Sequence, residues 1–114
     1  MRIYPDFLED RTPGEQFNKA PDFTDEIPTS DSIRAVGGTS LTTIVATDED
    51  GTDVSTSVVP LNYQTVSGTT LKARVMCPTG DHTYLVTYTA QMTNSAEVAK
   101  KYLIVRVRTP KAVL

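Results

Sequence analysis

The chain has 114 residues, a formal net charge of −3, one cysteine and no tryptophan. That length suits one domain, a lone cysteine excludes an intrachain disulfide, and a hydrophobic content of 39% is too high for wholesale disorder. No apolar stretch approaches a secretory h-region or a membrane span, so the sequence reads as a soluble protein made in the cytoplasm, with no membrane partner.

Residues 1–14 read as irregular, punctuated by Pro5, Pro13 and Gly14, and RTPGE reads as a turn with proline at its second position. Residues 15–36 read as extended, interrupted by Pro21 and Pro28. Proline cannot donate to a ladder, so this segment is an edge strand or a docking arm. Within it, FTDEIPTSDSI (Phe23 to Ile33) is excluded from helix by Pro28 and by its apolar spacing. Residues 1–22 hold Tyr4, Phe7, Leu8 and Phe17 with no periodicity. They predict an extended arm whose four apolar side chains anchor on a partner, and a chain starting near Asp22 that still folds.

From Ser40 onward the pattern sharpens. LTTIVAT predicts a strand, and DEDGTD a turn at Asp50-Gly51. VSTSVVPL predicts a further strand, with Val54, Val58 and Pro60 on one face. After a turn at Ser67-Gly68, LKARVMC places Leu71, Ala73, Val75 and Cys77 on one face and Lys72, Arg74 and Met76 on the other. TYLVTYTAQM places Tyr84, Val86, Tyr88, Ala90 and Met92 inward and threonines mostly outward. The last strand begins near Val98, with Leu103, Val105 and Val107 on one face and Arg106 and Arg108 opposite. SAEVAKKYL has a helical alternative, but YLIVRVR is too β-branched for it. Short strands about ten residues apart, with turns between them, predict an all-β sandwich.

The acids gather in residues 1–31 and the cations near the end, where Lys100, Lys101, Arg106, Arg108 and Lys111 face a single Glu97. Such a division implies pairing within the chain or between copies, or two solvated surfaces of opposite sign. Arg106 and Arg108 are the basic candidates for partner binding. Nucleic acid is disfavoured by a pI near 5 and by the lack of interleaved aromatics.

Little in the chain reads as chemistry. His82 lies in a turn, its neighbour Asp81 points away in an extended chain, and Cys77 falls on an apolar strand face. Asp48, Asp50 and Asp53 lack the closing glutamate of a calcium loop. No catalytic residue, metal ligand or cofactor site is assigned, and the chain reads as a non-enzyme.

GDHTYLVTYTA resembles the penultimate strand of immunoglobulin-like domains, with Gly80 and Tyr84 before the strand and Val86 where antibody domains carry cysteine. The order of motifs extends the likeness from about Gln16 to Arg108. It comprises Asp22, Phe23 and Asp25; Asp31, Ser32 and Ile33; Ser67, Gly68 and Leu71; Gly80, Tyr84, Val86 and Tyr88; then Val105, Arg106 and Val107. This order resembles the small Ig-like structural proteins of tailed bacteriophages, described as fibre–tail adaptors or neck components. That group often has a tryptophan in the leader and a glycine before its Asp-x-Ile, where this chain has Phe23 and Ser30. The resemblance implies an immunoglobulin-like β-sandwich of about seven strands over residues 23–114, preceded by the arm over 1–22. In it, Phe23 and Ile27 lie against the core or a neighbour, Ile33 opens the first strand, and the Tyr84 hydroxyl pins the preceding turn. The implied function is that of a virion structural protein in several copies, binding connector, tail or fibre subunits in the neck or tail. The alternative is a capsid decoration or a carbohydrate- or surface-binding module.

Overall fold

The computed structural model describes residues 5–110. Seven strands form two sheets around one apolar core. They are β1 (Phe7–Arg11), β2 (Gln16–Lys19), β3 (Thr43–Thr47), β4 (Thr65–Ser67), β5 (Thr70–Met76), β6 (His82–Gln91) and β7 (Val98–Val107). One sheet runs β1-β7-β6-β3 and the other β2-β5-β4. All neighbouring pairs are antiparallel except β1 with β7, which is parallel.

The three longest strands follow their alternation. Leu71, Ala73 and Val75 of β5, Tyr84, Val86, Tyr88 and Ala90 of β6, and Leu103, Val105 and Val107 of β7 are buried. Each strand therefore turns one side into the space between the sheets. Tyr88 spans that space, and its hydroxyl donates to the Lys19 carbonyl on the opposite sheet at 3.3 Å. Burial pushes its phenol well above the usual tyrosine range.

The arm expected over residues 1–22 is, from Phe7 to Lys19, part of the sandwich. Phe7 to Arg11 pair with Leu103 to Val107, and Gln16 to Lys19 pair with Met76 to Ala73. The chain crosses between the sheets through Thr12-Pro13-Gly14-Glu15, where the Glu15 N–H donates to the Thr12 carbonyl. Gly14 takes φ +90, the left-handed value a type II turn needs after proline. The open side between β1 and β2 is closed by cations laid on rings. Lys19 sits 4.2 Å from the Phe7 centroid and Arg11 4.0 Å from that of Phe17. Glu9 bridges both cations, at 3.1 Å to Arg11 and 3.9 Å to Lys19.

Residues 23–33 form turns rather than an extended lead-in. Asp22 accepts the Thr24 N–H, a 3-10 turn covers Thr24–Glu26, and Asp31 donates its N–H to the Pro28 carbonyl. This brings Phe23 fully into the core, with Ile27 packed at its margin. Ile33 is buried, but it makes one bridge to Met92 and opens no strand. The strand expected over VSTSVVPL is instead a short helix, α1 (Ser55–Val58), followed by a 3-10 turn over Leu61–Tyr63. Asp53 accepts both the N–H and the hydroxyl of Ser55, a local bonding pattern that competes with a ladder. Val58 and Val59 are both buried, which departs from the alternation of a half-buried strand.

Candidate interaction surfaces

β3 is an outer strand, yet its edge is blocked. The Ala46 N–H donates to the Ser55 hydroxyl oxygen and the Ala46 carbonyl accepts the Val54 N–H, while Gln64 donates to the carbonyls of Ile44 and Val59. These contacts take up the groups a neighbouring strand would use. Beside them lies a groove of about 320 Å³, lined by Val36, Ile44, Val59 and Leu61 among others.

The outer face of the four-stranded sheet is different. Register places Leu8, Ile104 and Leu85 in one row across β1, β7 and β6. The next row holds Tyr102, Thr87 and Val45. Leu8 is 54% exposed. Of the arm residues singled out from sequence, only Leu8 points outward in this way. Phe7 and Phe17 pack against the core, and Tyr4 lies outside the described residues.

The basic candidates are engaged within the chain. Arg106 donates to both Asp10 carboxylate oxygens, at 2.8 and 3.1 Å, and this holds the Asp10 pKa below the usual carboxylate range. Arg108 donates to the carbonyls of His82 and Val107 and to the Thr83 hydroxyl. Lys101 pairs with Glu26 at 3.2 Å. At Asp10–Arg106 and Glu26–Lys101 the acidic leader meets the basic tail, which is the intrachain outcome of the charge division.

His82 Nδ1 lies 2.7 Å from Glu49, whose other oxygen accepts the Thr83 N–H. Its Nε2 faces Gly80, where an added Cβ would meet it at 3.3 Å. Among the described residues no serine or cysteine bonds to this ring, and Glu49 ties the turn after β3 to the first two residues of β6. Asp81 is used separately, accepting the N–H and hydroxyl of Thr109. The Tyr84 hydroxyl makes no hydrogen bond among the described residues, so carboxylates rather than tyrosine pin this end of the sheet. Cys77 is buried, and burial raises its thiol pKa. Asp48 caps its own turn by accepting the N–H groups of Asp50 and Thr52. Among the described residues no three metal-ligating side chains converge, and no helix is long and apolar enough to cross a membrane.

Sequence inspection missed two polar clusters. Thr42 and Gln91 are both buried and bond to each other, the Gln91 N–H reaching the Thr42 hydroxyl at 3.0 Å. Asp31 accepts the N–H groups of Asn94, Ser32 and Ser95, clamping the β6–β7 turn, and these donors lower its pKa to about 2. Glu49 is lowered to about 2 by His82 and then by the Thr83 N–H. A depressed folded-state pKa gives stability that is complete above the unfolded value and is lost as pH falls through the folded one. Both groups therefore predict a melting temperature that drops between about pH 4 and pH 2. Asp31→Asn removes one titration and should flatten that decline. An unchanged slope in thermal melts across this window would show that Asp31 does not anchor the turn.

Compared with known proteins, the chain matches no family model, no curated protein and no solved structure.

Proposed function

We propose that this chain is a non-enzymatic structural protein of a tailed-phage virion, an Ig-like adaptor of the neck or tail that joins a connector or tail ring to fibres or neighbouring subunits. Strand order supports the Ig-like part. β2, β5 and β4 share one sheet as strands B, E and D do in immunoglobulin domains, and β3, β6 and β7 share the other as C, F and G do. The motif order from Asp22 to Val107 supports the virion part. The observation that carries the binding role is the apolar row of Leu8, Ile104 and Leu85 on the outer sheet face, with Tyr102 and Val45 in the row beside it.

A flat face of this kind docks by burying apolar area, and repetition around a ring makes modest single contacts collectively firm. Carbohydrate binding is less well supported, because sugar sites use exposed planar rings. Tyr84 and Tyr88 are buried, and Tyr63 is stacked with Arg74.

The test is to purify particles of the phage that encodes the chain and to locate the protein by electron microscopy, with Leu8→Glu as the variant. Leu8 is exposed, so this change should alter stability by no more than about 0.5 kcal/mol. Incorporation should nevertheless fall sharply. A chain absent from the particles, or a Leu8→Glu protein incorporated at the wild-type level, would overturn the reading. A position on the capsid lattice would favour the decoration protein.

A further inference from the structure

The outer face of the three-stranded sheet carries charge without partners. Lys72 and Arg74 lie two apart on β5, on the side opposite buried Leu71, Ala73 and Val75. Their ladder neighbours are Thr65 and Asn18, and Gln16 lies beside Met76; the acid that register brings to this face, Asp22 opposite Thr70, is taken up by the N–H and hydroxyl of Thr24. The Arg74 guanidinium rests 4.5 Å from the centroid of the Tyr63 ring, a cation–π contact that restrains it. Among the described residues the ion pairs engage Arg11, Lys19, His82, Lys101 and Arg106, and neither Lys72 nor Arg74. A guanidinium fixed on a ring with its donors open suits a carboxylate.

The chain also presents a projecting source of carboxylates. The turn between β3 and α1 reads Asp48-Glu49-Asp50-Gly51-Thr52-Asp53, and Gly51 at φ +80 makes its tip tight. Asp48 and Asp53 each use one oxygen in local bonds, and Asp50 is exposed with no cation beside it among the described residues. Residues two apart in a strand are about 7 Å apart, a spacing that two carboxylates of one turn can match.

We infer that the Lys72–Arg74 face binds the Asp48–Asp53 turn of a second copy. The two patches are different surfaces of one molecule, so the contact is heterologous and repeats head to tail, closing into a ring or running on as a filament. The inference rests on the multi-copy assembly proposed above and supplies its neighbour-to-neighbour contact. Exposed ion pairs are individually weak and salt-screened. Association should therefore be seen at about 0.01 M salt and vanish near 1 M, where the screening length falls from ~30 to ~3 Å.

Sedimentation velocity on the full chain tests this. The wild type should self-associate at low salt. Lys72→Glu with Arg74→Glu, and separately Asp50→Lys with Asp53→Lys, should each weaken association at least about tenfold, on the scale of reversed charges at a complementary contact. Mixing the two folded double variants should restore it. Carbodiimide coupling of the wild type should link Lys72 to Asp50 or Asp53 between copies, a readout that holds even if a variant fails to fold. A wild type that stays monomeric at low salt, a mixture that stays monomeric, or crosslinks that avoid Lys72 would each overturn the inference. An acidic peptide that binds a monomeric wild type would assign the face to a different partner and would overturn it too. A chain missing from phage particles would sink the virion reading while leaving the self-association result standing.

Discussion

A chain shortened to begin at Asp22 is expected not to fold. The shortening removes β1 and β2 together, and with them one edge of each sheet. It strips the ladder from Leu103 to Val107 on one side and from Ala73 to Met76 on the other. It also removes Phe7 and Phe17, which pack against the core, and it leaves the Tyr88 hydroxyl without the Lys19 carbonyl. Half-buried phenyl groups are worth about 1 kcal/mol each, and an unpaired buried hydroxyl costs about 1–3 kcal/mol. Newly exposed Leu103, Val105 and Val107 add to this. The sum approaches the whole stability of a domain this size, about 5–15 kcal/mol. Circular dichroism and thermal melting decide the matter. A shortened chain that melts cooperatively near the wild-type temperature, yet no longer joins particles, would show that the leader is a docking arm after all.

Val86→Asp should be the most damaging single change. Val86 is fully buried in the middle of β6, between Ala46 of β3 and Leu103 of β7. The buried side chains around it are apolar, and the inward cations Arg11 and Lys19 are already held by Glu9 on the rings of Phe17 and Phe7. An unpaired buried charge costs about 3–5 kcal/mol, a large share of the whole stability, so the denaturation midpoint should fall steeply. The adjacent Thr87 points outward beside Tyr102 and Val45, and Thr87→Asp should cost no more than about 0.5 kcal/mol. Chemical denaturation of the pair measures the contrast. Equal losses would mean that the faces of β6 are assigned the wrong way round.

The same contrast shows why some strands were legible and others were not. β5, β6 and β7 put apolar residues at every second position, so their inward faces could be read directly. The inward side of β1 is Phe7, Glu9 and Arg11, and that of β2 is Phe17 and Lys19. Charges at core-facing positions break the alternation, and they are tolerable only because each cation lies on a ring contributed by the other strand. That complementarity exists between strands and cannot be seen along either one. α1 was read as a strand because Val54 and Val58 fit both periods, and the decisive bonds came from Asp53 and Ser55.

The surfaces were legible to a similar degree. Leu8 stood out as an apolar residue without a pattern, and it is exposed. Its row partners Leu85 and Ile104 sit on the polar side of their strands and become a patch only when register aligns them. Arg106 and Arg108 were visible as cations, but their partners, Asp10 and the His82 turn, are reached only through the fold.

The parallel pairing of β1 with β7 sets the order in which the molecule can be completed. Asp6 accepts the N–H of Tyr102, and Asp10 pairs with Arg106, each across 96 positions of chain. During synthesis at about 5–20 residues per second, β1 must wait on the order of 5–20 s for its partner strand to be made. Throughout that interval Phe7 and Leu8 have no sheet to join. Closure of so long a loop comes before any reward from its contacts, so folding in the millisecond-to-second range is expected once the chain is whole. β1 is made long before the strand it joins, and the nascent chain is exposed to wrong pairing until the ribosome reaches Val107.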